Sequence, residues 1–385
     1  MNLNLNVLKE IGLDGLVQEV GKLLGKSEQI GLDQAKGLIS LVKGELVGNR
    51  NRLAAGLIPD MRFHRIHCTI LCGIHLLLDE FPMSDAARKI LQRFLSTPEL
   101  AIPEFLDAVL PNGCTISCRM SDYVQFMTWF YGVYEPAESY IFHSVVEPGM
   151  VVIDAGANIG QYTLLAATRL KDDGYVHSFE PEGESSKSLM HNVVRNRLSN
   201  HCRINSCALW SHDGSLSLTK PGPKLLRSYK SNNGACRVHD VPCLPTASSV
   251  SVNCVQLDSY VEKARVNKVD LIKIDVEGAE LSVLQGAERT LKEWKPLIMM
   301  EVNDDALASH GGTSNELFQK MAALEYKTTQ LPGSPSHGSG NIHANFIFYS
   351  DQLPPFLQTG YKADAPSRWA LSGYSTLLNR SAMVF

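Results

Sequence analysis

Residues 151–163, VVIDAGANIGQYT, place an aspartate and two glycines at the end of an apolar run. Asp154, Gly156 and Gly160 form a D-x-G-x-x-x-G spacing, and the residues that follow have helical periodicity. A strand, a glycine turn and a helix start present backbone N–H groups to a ligand. Gly156 would permit the tight turn, and Gly160 would let the helix begin close to the ligand. Asn158 tolerates unusual dihedrals and can bond the ligand itself. Glycines alone decide little, because such units also use them for packing.

The acid at the head of the pattern narrows the ligand. Dinucleotide turns begin with glycine and seat a pyrophosphate on the helix N-terminus. Asp154 would repel that group and attract an ammonium or sulfonium, which points to S-adenosylmethionine. Glu180, in SFEP, lies 24 residues beyond Gly156, where an acid can accept from both ribose hydroxyls. The plainer reading, a solvated surface glutamate, fits the spacing and the Pro181 turn less well. A third group, IDVEGAE, puts Asp275, Glu277 and Glu280 at the end of another apolar run, and Glu301 and Asn303 follow at the next. Clustered carboxyls are unfavourable unless they bind something. Glu280 has an equal claim as a first-turn acid favouring the helix dipole.

These residues need elements to hold them. From Val151 onward, short apolar runs alternate with amphipathic stretches: VVIDAG, GYVHSFEPE, RINSCALW, VDLIKIDVEG and PLIMMEVN. Apolar strands separated by helices imply a parallel sheet with helical crossovers, whose ligand lies at the strands' carboxyl ends. YKTTQL and NFIFYS, with no helix between them, predict a terminal antiparallel hairpin. Between residues 215 and 260 two strand-like stretches flank a long insertion, read as a lid over the acceptor pocket. Residues 1–110 read as a helical module. Leu16, Val20, Leu23 and Leu24 mark one helix, Leu38, Leu41, Val42, Leu46 and Val47 another, and Ser84 is placed to cap SDAARKILQRFL.

Bulk composition excludes several classes. The 385 residues carry a net charge of −4 and 44% hydrophobic residues, with no basic excess for nucleic acid. The start lacks the pattern of a secretory signal, and Ile66–Leu78 is too short to span a bilayer and contains two histidines. We therefore expect a cytoplasmic protein with no membrane or nucleic-acid partner. Nine cysteines suit a reducing compartment. Cys68 and Cys72, near His64, His67 and His75, and Cys114 and Cys118 have zinc-like residue types but the wrong spacing, so core thiols are expected and no metal.

The set VIDAGANIG, SFEP, LMHNVVRN, ALWSHDG, LDSY, LIKIDVEGAE and NFIF resembles the FkbM-type methyltransferases, and FYGVYEP (130–136) and NNGACRV (232–238) match as well. The resemblance covers about residues 115–350. It implies a Rossmann-like α/β fold with a seven-stranded, mostly parallel sheet, here carrying an N-terminal helical region (1–110), a methyltransferase domain (111–350) and a tail (351–385). It implies S-adenosylmethionine as cofactor, with Asp154, Gly156, Asn158 and Gly160 cradling the methionine part and Glu180 the ribose. Ala208 would lie at the adenine, and Tyr134 and Glu135 would close over the cofactor. The implied reaction is O-methylation of a sugar or polyketide-type hydroxyl on a small-molecule acceptor. Asp275 and Glu277 are the candidate bases, and Glu301 and Asn303 would meet the acceptor. His143 and His212 are read as structural. Two alternatives stand beside this: a catalytically silent binding module of the same fold, and an enzyme in which Asp275, Glu301 and Asn303 hold Mg²⁺. The helical module makes a homodimer plausible.

Overall fold

The computed structural model describes residues 30–54, 70, 84–95, 103–170, 174–219, 236–239, 249–332, 342–360, 362, 365–366 and 369. Two helices come first, α1 (Leu32–Ala54) and α2 (Asp85–Leu95). Leu38, Val42 and Leu46 on α1 and Ala87, Leu91 and Phe94 on α2 are buried, and Lys43 reaches over the Phe94 ring. Ser84 caps α2 as its position predicts, its Oγ accepting from Ala87 N at 3.2 Å. The helix marked by Leu16 to Leu24 lies outside the described residues.

The helical module ends earlier than residue 110. A hairpin of β1 (Phe105–Val109) and β2 (Thr115–Arg119) crosses that boundary and leads into α3 (Tyr123–Tyr131) and α4 (Pro136–Val145). The hairpin belongs to the domain that follows. Asn192 and Asn196 of the LMHNVVRN motif accept from Ser117 N and Thr115 N at 2.9 and 2.8 Å. Asn192 also donates to Ile159 O at 2.9 Å, tying the hairpin to the GANIG turn.

The remaining elements alternate: β3 (Val151–Ala155), α5 (Gln161–Leu170), β4 (Tyr175–Phe179), α6 (Gly183–Arg195), β5 (Cys202–Asn205), β6 (Ala208–Leu209), β7 (Gly214–Thr219), β8 (Arg237–His239), β9 (Ser249–Val255), α7 (Leu257–Lys263), β10 (Leu271–Ile274), α8 (Glu280–Gly286), α9 (Glu288–Trp294), β11 (Leu297–Asn303), α10 (Asp304–Ala308), α11 (Ser314–Ala323), β12 (Lys327–Gln330) and β13 (His343–Tyr349). Seven of the strands form one sheet in the order β12-β13-β11-β10-β3-β4-β5. Only β13 is antiparallel to its neighbours, so the sheet is mostly parallel and Rossmann-like. The expected terminal hairpin forms, but β13 inserts between β11 and β12.

The sheet is buried on both faces, which is why its central strands read as mainly apolar runs without polar alternation. Val152, Leu271, Met299 and Ile347 pack towards α3, α4 and α5. Ile153, Ile272, Ile274, Ile298 and Met300 pack against the core of α7, α8, α9 and α11. RINSCALW, expected as one strand, divides. β5 pairs with β4 in the main sheet, while β6 pairs with β9 in a four-stranded sheet ordered β6-β9-β7-β8. Its strands β7, β8 and β9 come from the insertion. The tail returns to the domain, where the Phe356 ring lies 5.5 Å from that of Tyr140 and Trp369 packs on Tyr140 and His143. No helix among the described residues is long and apolar enough to cross a membrane.

Candidate active site

One crevice opens at the carboxyl ends of β3, β4, β10 and β11. Its wall includes Tyr134, Glu135, Gly156, Asn158, Glu180, Ala208, Asp275, Glu277 and Glu301, so nine sequence-predicted residues come together there. The first turn is held down by hydrogen bonds from Gly156 N and Ala157 N to Phe179 O, both 3.0 Å. Gly156 has φ +82°, and a Cβ there would meet Asp275 O at 1.8 Å. Glycine at 156 therefore lets the turns after β3 and β10 approach each other. Asn158, at φ 48°, donates its N–H to Glu180 Oε2 at 2.8 Å, and Glu182 N donates to Glu180 Oε1 at 2.7 Å. Burial pushes the Glu180 carboxyl up to about 7, although these N–H groups oppose the shift. The Oδ1 of Asn158 is buried with no hydrogen-bond partner, an acceptor left for a ligand.

Three non-glycine residues on the wall occupy the left-handed region: Glu135 (φ 48°), Asn158 and Glu277 (φ 56°). Such conformations each cost about 1–3 kcal/mol and persist where the surroundings enforce them. At Glu135 the enforcement is visible. Gln161, the first residue of α5, accepts from Tyr134 N at 2.7 Å and donates to Tyr134 O and Ser139 Oγ at 2.9 Å each. The FYGVYEP segment is thereby clamped to the end of the first turn.

The other end of the crevice is carboxyl-rich. Register places Lys273 level with Asp154 on β3 and Met299 on β11, directly beneath the tips that carry Asp275 and Glu301. Lys273 is fully buried, donates to Asp275 Oδ2 at 3.1 Å, and sits 4.8 Å from the Tyr162 ring centroid. Burial opposes its charge, but Asp275 and Glu135 hold it above the usual lysine range. Burial and then the Asp275 charge raise the Glu135 carboxyl to about 8, and Tyr162 OH lies 3.3 Å from Glu135 Oε2.

Residues 154–328 match the model of the methyltransferase FkbM domain. Over that stretch the chain is similar to the FkbM methyltransferases. It is 29% identical over 218 residues to the 31-O-demethyl-FK506 methyltransferase FkbM of Streptomyces tacrolimicus, spanning 51% of this chain and 80% of that one. It is 29% identical over 181 residues to the hexuronic acid methyltransferase AglP of Haloferax volcanii, spanning 47% and 64%. A solved methyltransferase FkbM from Methylobacillus flagellatus aligns over 59% of this chain and 52% of its own at 16% identity, with a TM-score of 0.35.

Three of the expected site residues do not reach the crevice. Asp154 points from β3 into the helical layer, where its Oδ2 accepts from Thr163 Oγ1 at 2.6 Å; burial raises it to about 6. Gly160 serves packing, because a Cβ would meet Leu189 Cδ1 at 2.4 Å. Asn303 caps α10, its Oδ1 accepting from Asp305 N and Ala306 N at 3.1 and 3.2 Å. That hydrogen bonding takes Asn303 out of the oxygen set considered for Mg²⁺, and among the described residues no cluster has the makings of a metal site. Cys114 and Cys118 are buried thiols of the hairpin region, while Cys68, Cys72, His64, His67 and His75 lie outside the described residues. Glu280 is buried and accepts from Gly278 N at 3.1 Å, away from the crevice. His143 is structural, with Nδ1 3.2 Å from Leu165 O.

Sequence reasoning missed Lys273, Gln161 and His343. Lys273 was hidden in an apolar run, and Gln161 directly followed the glycine turn. His343, whose Nε2 lies 2.9 Å from Glu301 Oε1, carried no local signal at all.

Proposed function

We propose that the protein is an S-adenosylmethionine-dependent O-methyltransferase acting on a hydroxyl of a small, oxygen-rich acceptor of the sugar or polyketide type. The observation that carries this reading is the two-ended crevice. Phe179, Pro181, Ala208 and Leu209 supply an apolar end suited to a purine, and Tyr134, Glu135, Asp275 and Glu301 supply an acidic end suited to a cation. The residues present fit the cofactor: Glu180 lines the crevice beside Phe179 and Pro181, and Asn158 Oδ1 lacks a partner. Tyr134, Glu135, Asn158 and Glu180 would hold it.

Bound there, the cofactor supplies an activated methyl group on a positively charged sulfur. The chain's own residues have three tasks. The Gln161 clamp keeps Tyr134 and Glu135 over the crevice and excludes water. The carboxyls would orient the acceptor hydroxyl for reaction. Asp275, oriented through Oδ2 by Lys273, would take the proton that the acceptor hydroxyl gives up, with Glu277 beside it. A base so placed contributes roughly 10²–10⁴-fold.

Asp275, Glu277 and Glu301 on the wall, beside the buried Lys273, oppose an acceptor that is itself anionic near the reacting hydroxyl. A neutral polyol suits this crevice better than a uronate of the kind named for the Haloferax relative. Tritium-methyl transfer from labelled S-adenosylmethionine into fractionated small-molecule extracts tests the reading. The expected product is a neutral methyl ether. Label recovered on an amine or on a carboxyl group would contradict it.

A further inference from the structure

β13 runs against its neighbours in the main sheet, and that direction decides where its first residue lies. A parallel strand would start at the far end of the sheet. β13 instead starts beside the tip of β11, with His343 level with Asn303 and Asn345 level with Glu301. Residues two apart on a strand share a face, so His343 and Asn345 stand on the same side as Glu301. From there Asn345 hydrogen-bonds the Glu138 carboxyl of α4. His343 reaches diagonally across the strand pair, its Nε2 donating to Glu301 Oε1 at 2.9 Å. The His343 side chain is 46% exposed against 17% for Glu301, so the ring stands on the solvent side of a carboxylate that lines the crevice.

Register also puts Asp275, one residue past the Ile274–Met300 pair, beside Glu301 on the neighbouring strand. Such strands lie about 4.8 Å apart. Each carboxylate is held by one oxygen: Lys273 donates to Asp275 Oδ2 at 3.1 Å, and His343 to Glu301 Oε1. Among the described residues, none donates to Asp275 Oδ1 or to Glu301 Oε2. Like charges this close oppose each other's ionised form unless each has its own cation. Lys273 keeps its charge despite burial. His343 is the cation of Glu301, and its charge can be lost. Glu301 on β11, Asp305 on α10 and Asp275 at the end of β10 act on it, and the Glu301 bond above all holds the ring above the usual histidine range, against its partial burial.

Resting on the function just proposed, we infer that His343 is a positioning residue of the acceptor site: it fixes the Glu301 carboxylate so that Oε2 takes a hydrogen bond from a second hydroxyl of the acceptor, beside the one held at Asp275. His343 acts through Glu301 and touches neither acceptor nor cofactor. Its loss weakens acceptor binding and spares the chemical step.

The probe is the neutral extract fraction that takes up tritium in the transfer assay, diluted in steps at saturating S-adenosylmethionine. His343→Gln is expected to need about tenfold more of the fraction for half-maximal rate, with the maximal rate changed by less than about twofold. His343→Lys, which restores a charge, is expected to recover most of that loss. From about pH 6.5 to 8 the wild type should need progressively more of the fraction as the ring gives up its proton, and His343→Lys should not. Melting temperatures check that each variant folds. A His343→Gln variant that matches wild type, or one that loses maximal rate at unchanged half-saturation, would overturn the assignment and leave the proposed function standing. So would a His343→Lys variant no better than His343→Gln, or one that follows the wild-type pH trend. No transfer by the wild type would remove the proposed function, and the assignment with it.

Discussion

Lys273 is a buried cation on a strand whose neighbours are leucine and isoleucine, and it faces carboxyls from β10, β11 and α4. Removing one member of a buried ion pair leaves its partner uncompensated, which is worse than replacing both. Lys273→Met should therefore destabilise the fold by about 3 kcal/mol in urea denaturation. The same change should raise the Glu135 carboxyl further, since Lys273 lowers it now. An unchanged unfolding midpoint would mean that the lysine is dispensable. At this scale the sequence was legible where a residue's backbone position decides its role. Gly156, Asn158 and Glu180 stand on the crevice wall as their spacing predicts. It misled where side-chain direction decides. Asp154 and Asn303 occupy the expected rim but turn to Thr163 and to the start of α10, and nothing local reports which way a side chain points.

The elements were legible to the extent that their periodicity was simple. The strands centred on 153, 177, 272 and 300 follow from short, mainly apolar runs, and the Ser84 cap from its neighbours. The division of RINSCALW between two sheets did not follow, because β5 and β6 are both short and partners distant in sequence decide their pairing. The boundary at 110 failed for a related reason: the hairpin of β1 and β2 is held by asparagines about 80 residues away. Gly278 gives the prediction that belongs here. Its turn joins β10 to α8 and admits the end of α10. Gly278→Ala combines a left-handed φ with overlap on backbone atoms. A loss of more than about 1 kcal/mol is expected by thermal or chemical unfolding. A variant as stable as wild type would show that α10 can move away, and the tight approach would carry no weight.

For the molecule as a whole, the buried acids set the response to pH. Asp154, Glu180, Glu280 and Glu135 are raised by burial to about 6, 7, 7 and 8. The native state thus holds their protons more tightly than the unfolded chain. Their contribution to stability is complete below the ordinary carboxyl range and is lost as pH rises through the folded values. His143 and His177, lowered by burial to about 4, act oppositely: their contribution is present above the ordinary 6.5 and lost as pH falls towards 4. Above 6.5 the acids act without that opposition, so the melting temperature should fall from about pH 6.5 to 8. Glu135→Gln should flatten the upper part of that fall, between the folded values of Glu180 and Glu135. A melting temperature that climbs across this range would contradict the burial of these carboxyls. The central claim, that an acid-ended crevice at the strand tips transfers a methyl group to a hydroxyl, is tested most directly by the rate of tritium-methyl transfer into the extract-derived acceptor, wild type against Asp275→Asn. Transfer well above the boiled-protein background is expected, with a fall of about 10²-fold in the variant measured at saturating cofactor. No transfer by the wild type, or full transfer by Asp275→Asn, would contradict it.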